Sequence, residues 1–405
     1  MIRISKNPVN IREKLAELER PIGVNGAALM KTETPQEASS LIGARNRNLI
    51  INGDMIINQR GIVGGSNNGG VSRAGGFGLD RWTAWRANDG LNGGIIQEQS
   101  TDVPTGQYFK NSLKLTMNGA GGNPTANTSV RLLLHQMIEG NNMYQLRYGT
   151  SGARYFTFSF WVKCSVPGTY AVTFTNNASD RGYVATYNIN SASTWEYKTI
   201  TVTGDTTGTW TTDNTAGLTI NFDLGVNGPT TSTYNTWLSG DYRGGTTTTK
   251  LNAINGATYF ITGVQLEEGK VATPFEYRSI GEELALCQRY CYVINGSSTF
   301  NGSGYARYFM HASSGSTGIS YITFPVQMRA TPSLITKNFT STYVDIFNYD
   351  NLTAATLSSV SSAEHDVWHA QLAFSFTGGT PASGHIMSWR WINVPDAYIG
   401  FVAEL

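Results

Sequence analysis

Residues 155–164 read YFTFSFWVKC, and in them Phe156, Phe158, Phe160 and Val162 alternate with Thr157, Ser159 and Trp161. A period of two puts successive side chains on opposite faces, so this stretch predicts a half-buried β-strand. Working outward, the same alternation occurs at Leu113, Leu115 and Met117, at Trp195, Tyr197 and Thr199, at Leu218, Ile220, Phe222 and Leu224, and around Phe260, Val264 and Leu266. Turn-forming clusters such as NNGG, GAGGN, TGDTTG and NGP separate these runs. Short strands at regular spacing predict a mainly β chain with an antiparallel sandwich or jelly roll.

The composition agrees. Gly occurs 45 times in 405 residues, aromatics make up 11% and charged residues only 14%, well below the usual quarter. At this length more than one hydrophobic core is expected. Lys plus Arg number 29 against 28 Asp plus Glu, so no positive field gathers phosphates and nucleic acid is not an expected partner. The opening MIRISKNPVNIREK lacks the apolar core of a signal peptide, and no run approaches the ~20 apolar residues that span a bilayer. Synthesis in a cytoplasm without membrane insertion is the expectation. Cys164, Cys287 and Cys291 are too few for a disulfide framework.

Two segments break the strand rhythm. In residues 11–19, IREKLAELE, Ile11, Leu15 and Leu18 form one helical stripe, and at 34–43 Thr34, Pro35 and Glu37 give a helix start that Gly43 ends. So short a first helix is marginal alone. Its stripe therefore predicts a partner, and residues 1–48 read as an attachment or oligomerisation segment. Residues 49–278 read as the sandwich. At 279–293, SIGEELALCQRYCYV carries a capping box at Ser279 and Glu282 and predicts one connector helix within 279–295. The rhythm returns after Gly296, most clearly at Trp368, Ala370, Leu372, Phe374 and Phe376, so 296–405 read as a C-terminal β module, which could be a sandwich, a barrel or an interwoven tip.

Several phrases occur in a set order: NLIINGDMIINQRG at 49–61, LDRW at 79–82, FSFWVK at 158–163, VQLEEGKVATPFEYRS at 264–279, EELALCQRYCYV at 282–293 and FPVQMRATPSL at 324–334. Together they resemble bacteriophage tail-fibre and minor structural proteins with a jelly roll like that of carbohydrate-binding modules, over residues 40–335. The resemblance implies a virion protein, often a homotrimer, in contact with other virion proteins of the tail, baseplate or capsid. It also implies that the phrases serve the scaffold. No particular ligand follows from it. It further suggests a calcium ion where first and last strands meet, for which Asp54 and Glu267 could supply oxygen ligands. The alternative is a turn aspartate bonding its own backbone and a solvated glutamate.

For ligand binding, residues 203–250 combine Trp210, Tyr234, Trp237 and Tyr242 with Thr, Asn and Asp in a Gly-rich background. Flat rings beside short polar side chains suit sugars, although burial in the sandwich or a subunit contact is the commoner fate of such rings. His365-Asp366-Val367-Trp368-His369 imitates a zinc helix, but on a strand residues four apart lie ~13 Å apart and cannot share an ion. Cys287 and Cys291, four apart on the expected helix, read as buried small residues. The Gly clusters at 64–78 and 119–122 lack the Lys-Ser or Lys-Thr of a phosphate loop, and no GxSxG elbow occurs. The expectation is a non-enzymatic tail-fibre subunit that contributes to host-surface glycan recognition. A capsid-decorating or tail-assembly role without a host ligand is the alternative, and a polysaccharide depolymerase is a further one.

Overall fold

The computed structural model describes residues 47–61, 76–87, 94–118, 130–295, 307–337, 339–341, 344–379, 381–391 and 398–405. The two N-terminal helices expected at 11–19 and 34–43 lie outside them. The described chain is mainly β, as the alternation predicts. The sandwich uses β1 (Gly76–Phe77), β2 (Thr83–Ala87), β3 (Gly94–Ser100), β4 (Ser112–Asn118), β5 (Arg131–Glu139), β6 (Phe156–Cys164), β7 (Gly168–Asn176), β8 (Arg181–Ile189), β9 (Glu196–Val202), β10 (Ala216–Asp223), β11 (Thr230–Thr231), β12 (Trp237–Ser239), β13 (Gly244–Gly245) and β14 (Thr258–Glu268). One antiparallel sheet runs β1-β2-β5-β10-β7-β8-β12 and the other β3-β4-β14-β6-β9, while β11 and β13 form a small parallel pair.

The core lies between the two large sheets. Phe156, Phe158, Phe160 and Val162 enter it from one side, and Phe174, Leu218, Ile220 and Phe222 from the other. Phe158 meets Phe174 edge-on at 5.5 Å, and Phe160 meets Phe222 at 5.1 Å. Each such ring is worth about 2–3 kcal/mol of transfer free energy. The expected stripe Trp195, Tyr197, Thr199 points the other way: on β9 it is Ile200 and Val202 that are buried, while Tyr197 is 43% exposed. Along β14 the inward parity switches from Tyr259 and Ile261 to Val264 and Leu266, because the register shifts between Thr262 and Gln265. Gly263 sits in this bulge at φ +60, a conformation open to glycine.

Thr157 and Ser159 face away from the core, yet both are buried. The chain after β14 folds back over this outer face, where Thr157 Oγ1 donates to Gly269 O at 2.9 Å. The phrases at 49–61 and 264–279 knit the same region. Asn48 N donates to Glu276 Oε2 (2.7 Å), Leu266 N and Ile50 N donate to Asn48 Oδ1 (3.0 Å each), and Arg278 Nη1 donates to Ile50 O (3.0 Å). A Cβ on Gly53 would lie 2.2 Å from Val264 O, so the NGD phrase needs its glycine for backbone approach. These residues are architectural.

Ser279 caps helix α1 (Ile280–Gln288) with a complete capping box, as expected. The helix ends earlier than the sequence suggests: Cys291–Asn295 form β15, paired antiparallel with β23 (Tyr398–Val402). An apolar run of four, Cys291–Ile294, fits either period, and pairing with β23 decides it. Cys287 is therefore helical and Cys291 extended, both buried and free, rather than two positions of one helix.

The C-terminal module adds β16 (Arg307–Ala312), β17 (Thr317–Thr323), β18 (Ser333–Lys337), β19 (Val344–Asn348), β20 (Thr353–His365), β21 (His369–Gly378) and β22 (Ile386–Trp391). Strands β16-β17-β21-β20-β19-β22 close a barrel, beside which β15-β23-β18 form a three-stranded sheet. Ala370, Leu372, Phe374 and Phe376 fill the barrel as predicted, but Trp368 lies in the β20–β21 turn and is 46% exposed. His365 and His369 flank that turn instead of sharing a strand, and Asp366 Oδ1 accepts the Trp368 and His369 amides (2.6 and 2.7 Å).

Buried polar contacts join module to sandwich. Arg289 donates to both carboxylate oxygens of Glu139 (2.8 and 2.9 Å), and Tyr290 Oη donates to Glu139 Oε1 at 2.5 Å. Burial opposes ionisation of Glu139, but these donors outweigh it and hold the carboxyl below its usual range. Glu404 pairs with Arg60 (3.0 Å) and with Arg81, whose guanidinium lies 3.5 Å over the Tyr290 ring. Arg329 bridges Ala403 O (2.8 Å), Glu404 O (2.9 Å) and Asn214 O (3.0 Å).

Candidate functional site

The four expected sugar-binding aromatics do not form one platform. Trp210 and Trp237 meet edge to face at 5.4 Å, and both contact Tyr148, at 4.8 and 5.7 Å. Their indole donors are committed inside the protein, Trp237 Nε1 to Thr203 O (2.7 Å) and Trp210 Nε1 to Thr207 O (3.0 Å). The pair packs against the sandwich core. Tyr234 Oη bonds Thr247 Oγ1 at 3.1 Å, and Tyr242 lies beside Gly240 and Gly182. Among the described residues, neither ring contacts the tryptophan pair.

The expected calcium ligands are also apart in role. Glu267 is buried, and its oxygens accept Thr273 N (2.8 Å), Thr273 Oγ1 (2.7 Å) and Gln265 Nε2 (2.9 Å), with Arg47 at 3.7 Å. That carboxylate fixes the fold-back loop and is saturated by donors. Asp54 is half-buried; burial, then Glu283, pushes its carboxyl up to about 6. Among the described residues no three His, Cys, Asp or Glu side chains converge on a metal-sized site.

A groove of about 530 Å³ lies instead on the outer face of the five-stranded sheet. Trp161 and Tyr197 form one wall; they are cross-strand partners on β6 and β9 with centroids 5.3 Å apart. Phe109, Phe275 and Tyr277 form the other, each within 5.0–5.6 Å of the next. Tyr277 Oη donates to Gln107 O (2.5 Å), tying the β3–β4 loop to the fold-back loop. Phe109 rests on the bulge: a Cβ on Gly263 would lie 2.5 Å from Phe109 Cζ. Tyr108, at φ 56, turns its ring out and is 91% exposed. Ser159, Gln107 and Thr273 supply polar groups between the rings.

The volume falls in the range of small-ligand sites, and rings with sparse hydrogen-bonding groups are a composition that holds a sugar by stacking and orients it by its hydroxyls. The sequence signal was partial: Trp161 falls among the polar positions of FSFWVK, whereas Tyr197 belongs to the stripe Trp195, Tyr197, Thr199 that was expected to face inward. Single rings on the solvent side of a strand are ordinary, and the clustering of several is the informative observation.

No family model and no curated protein matches the sequence. Among solved structures, 51% of the chain is similar to 22% of the enzymatically active domain of tailspike protein 4 from bacteriophage CBA120, with TM-score 0.28 and 17% identity. A chain titled "CBM4 structure and function" is similar over 47% of this chain and 88% of its own, with TM-score 0.27 and 16% identity. TmCBM61 in complex with beta-1,4-galactotriose is similar over 55% of this chain and 99% of its own, with TM-score 0.26 and 11% identity. Likeness at these scores carries no argument about ligand or activity.

Proposed function

We propose that the sandwich binds a saccharide in the groove between Trp161–Tyr197 and Phe275–Tyr277, and that the protein is a non-enzymatic recognition subunit of a phage particle. The paired aromatic walls carry the first part. The resemblance of the ordered phrases to tail-fibre proteins supports the second, together with a homotrimer attached to other virion proteins by its N-terminal segment. Binding fits the groove better than hydrolysis because its lining, among the described residues, holds no carboxylate, whereas glycoside cleavage commonly uses two. Weak contact would suffice, since tethered repeats gain 10²- to 10⁴-fold in avidity.

The test is a glycan array probed with the intact protein, with Trp161→Ala and Tyr197→Ala alongside. Binding that both variants weaken at least tenfold, with unchanged melting, is the expected result. Equal binding by wild type and variants removes the groove from the reading, and release of oligosaccharides from a bound polysaccharide refutes the non-enzymatic part. Light scattering should give three copies; a monomeric mass at micromolar concentration contradicts the trimer.

A further inference from the structure

A second cleft, of about 550 Å³, opens at the end of the sandwich beside the Trp210–Tyr148 cluster. Tyr144, Arg147, Tyr148, Trp210, Thr211 and Thr212 line it. Tyr144 is 68% exposed at the rim. Arg147 follows the 3-10 turn Tyr144–Leu146 in a left-handed conformation, φ 55, and its stem lies over Gly152, where a Cβ would sit 3.7 Å from Cδ and 3.9 Å from Nη1. Arg147 is exposed and stands at the rim of the cleft that it helps to line.

Its charge is uncompensated. Among the described residues no carboxylate pairs with Arg147. Asp205, nearby in the fold, is taken by Arg181 through two bonds of 2.7 and 2.8 Å, and the Asp213 carboxylate accepts Thr215 N (2.9 Å) and Thr215 Oγ1 (2.5 Å). The Thr211 hydroxyl donates to Ala216 O (2.9 Å) and keeps its acceptor capacity, while the Thr212 hydroxyl is uncommitted. One unpaired planar cation, two aromatic side chains at a concave wall and short hydroxyls form a set that distinguishes an acidic sugar from a neutral one, because guanidinium matches a carboxylate in bidentate fashion.

We propose that this cleft binds a uronate residue, its carboxylate on Arg147 and its ring against Trp210 and Tyr144. The inference shares with the groove only the premise that the protein contacts saccharides.

The test is an indole N–H titration by NMR of the intact ¹⁵N-tryptophan protein with glucuronate, glucose and acetate. Trp210 reports this cleft and Trp161 the groove. Glucuronate should move the Trp210 resonance with saturation, glucose and acetate should not, and raising salt should weaken the effect several-fold. Arg147→Gln should raise the apparent Kd about tenfold or more, and Arg147→Lys should recover part of the loss. Equal movement by acetate reduces the site to a carboxylate contact, and equal movement by glucose removes the charge from the argument; either overturns the proposal. So does an unchanged titration in Arg147→Gln, or a silent Trp210 up to about 50 mM ligand, a range that covers millimolar affinity. Movement of Trp161 alone would sink this inference and leave the groove standing; movement of Trp210 alone would do the reverse.

Discussion

Asp54 gives a sharp test of how the buried end of the sandwich is charged. Burial, then Glu283, raises its carboxyl from an ordinary 3.8 to about 6, while backbone donors at Asp54 and Ile56 and the Arg278 charge only partly offset this. A carboxyl whose folded value exceeds its unfolded value costs nothing below about pH 3.8. The penalty grows as pH rises and is complete above about pH 6. A rise of about 2 pH units corresponds to at most about 3 kcal/mol, and partial exposure reduces this to about 1–2 kcal/mol. Asp54→Asn keeps an oxygen for the backbone donors and removes the repulsion. Urea unfolding at pH 7.5 should therefore find the variant more stable by about 1–2 kcal/mol, and most of that gain should vanish by pH 4. His135, which burial pushes down to about 4, titrates with the opposite sign, but both proteins carry it and the difference cancels it. A neutral or destabilised variant at pH 7.5, or a pH-independent gain, refutes the reasoning. A loss of stability that appears only with added calcium would instead place an ion on Asp54.

Gly263→Val should cost more than about 2 kcal/mol, since it combines φ +60 with a Cβ 2.5 Å from Phe109, whereas Gly256→Ala, at φ +76 with nothing within 4 Å, should cost about 1 kcal/mol by the same melt. Glu404→Gln leaves Arg60 and Arg81 buried without their shared counter-charge and should cost about 3 kcal/mol in denaturant unfolding; a change under 0.5 kcal/mol would contradict a buried pair. Because Thr273 and Gln265 already saturate Glu267, calorimetric melting with a calcium chelator should leave the midpoint unchanged, and a drop of several degrees would restore the ion.

The strands were legible because one buried face imposes alternation, and Leu113-Leu115-Met117 and Leu218-Ile220-Phe222 follow it without interruption. Burial itself was less legible: all eight residues of β10 are buried, although only Leu218, Ile220 and Phe222 of its alternating set enter the core. On β9, two aromatics outvoted Ile200 and Val202 in the reading of the inward set. Tyr197 lies on the outside and walls the groove, whereas Trp195 precedes the strand and packs on Phe260. That groove was invisible as a unit, since its rings come from four separate stretches, at 109, at 161, at 197 and at 275–277. In the 203–250 window Trp210 and Trp237 pack together against the core, while Tyr234 and Tyr242 lie apart from them. The early end of α1 escaped notice because Cys291–Asn295 become extended only by pairing a hundred residues onward.

That pairing has a kinetic consequence. In the sheet β15-β23-β18 the strand latest in the sequence is the middle one, so a chain emerging from the ribosome presents β15 and then β18 with no shared neighbour until residues 398–402 follow. Through that interval two apolar edges stand open, which is the state in which strands add to the wrong chain. Crowded, simultaneous production of many copies would therefore expose this sheet to mispairing, as it would β4 and β6, which wait in the same way for β14.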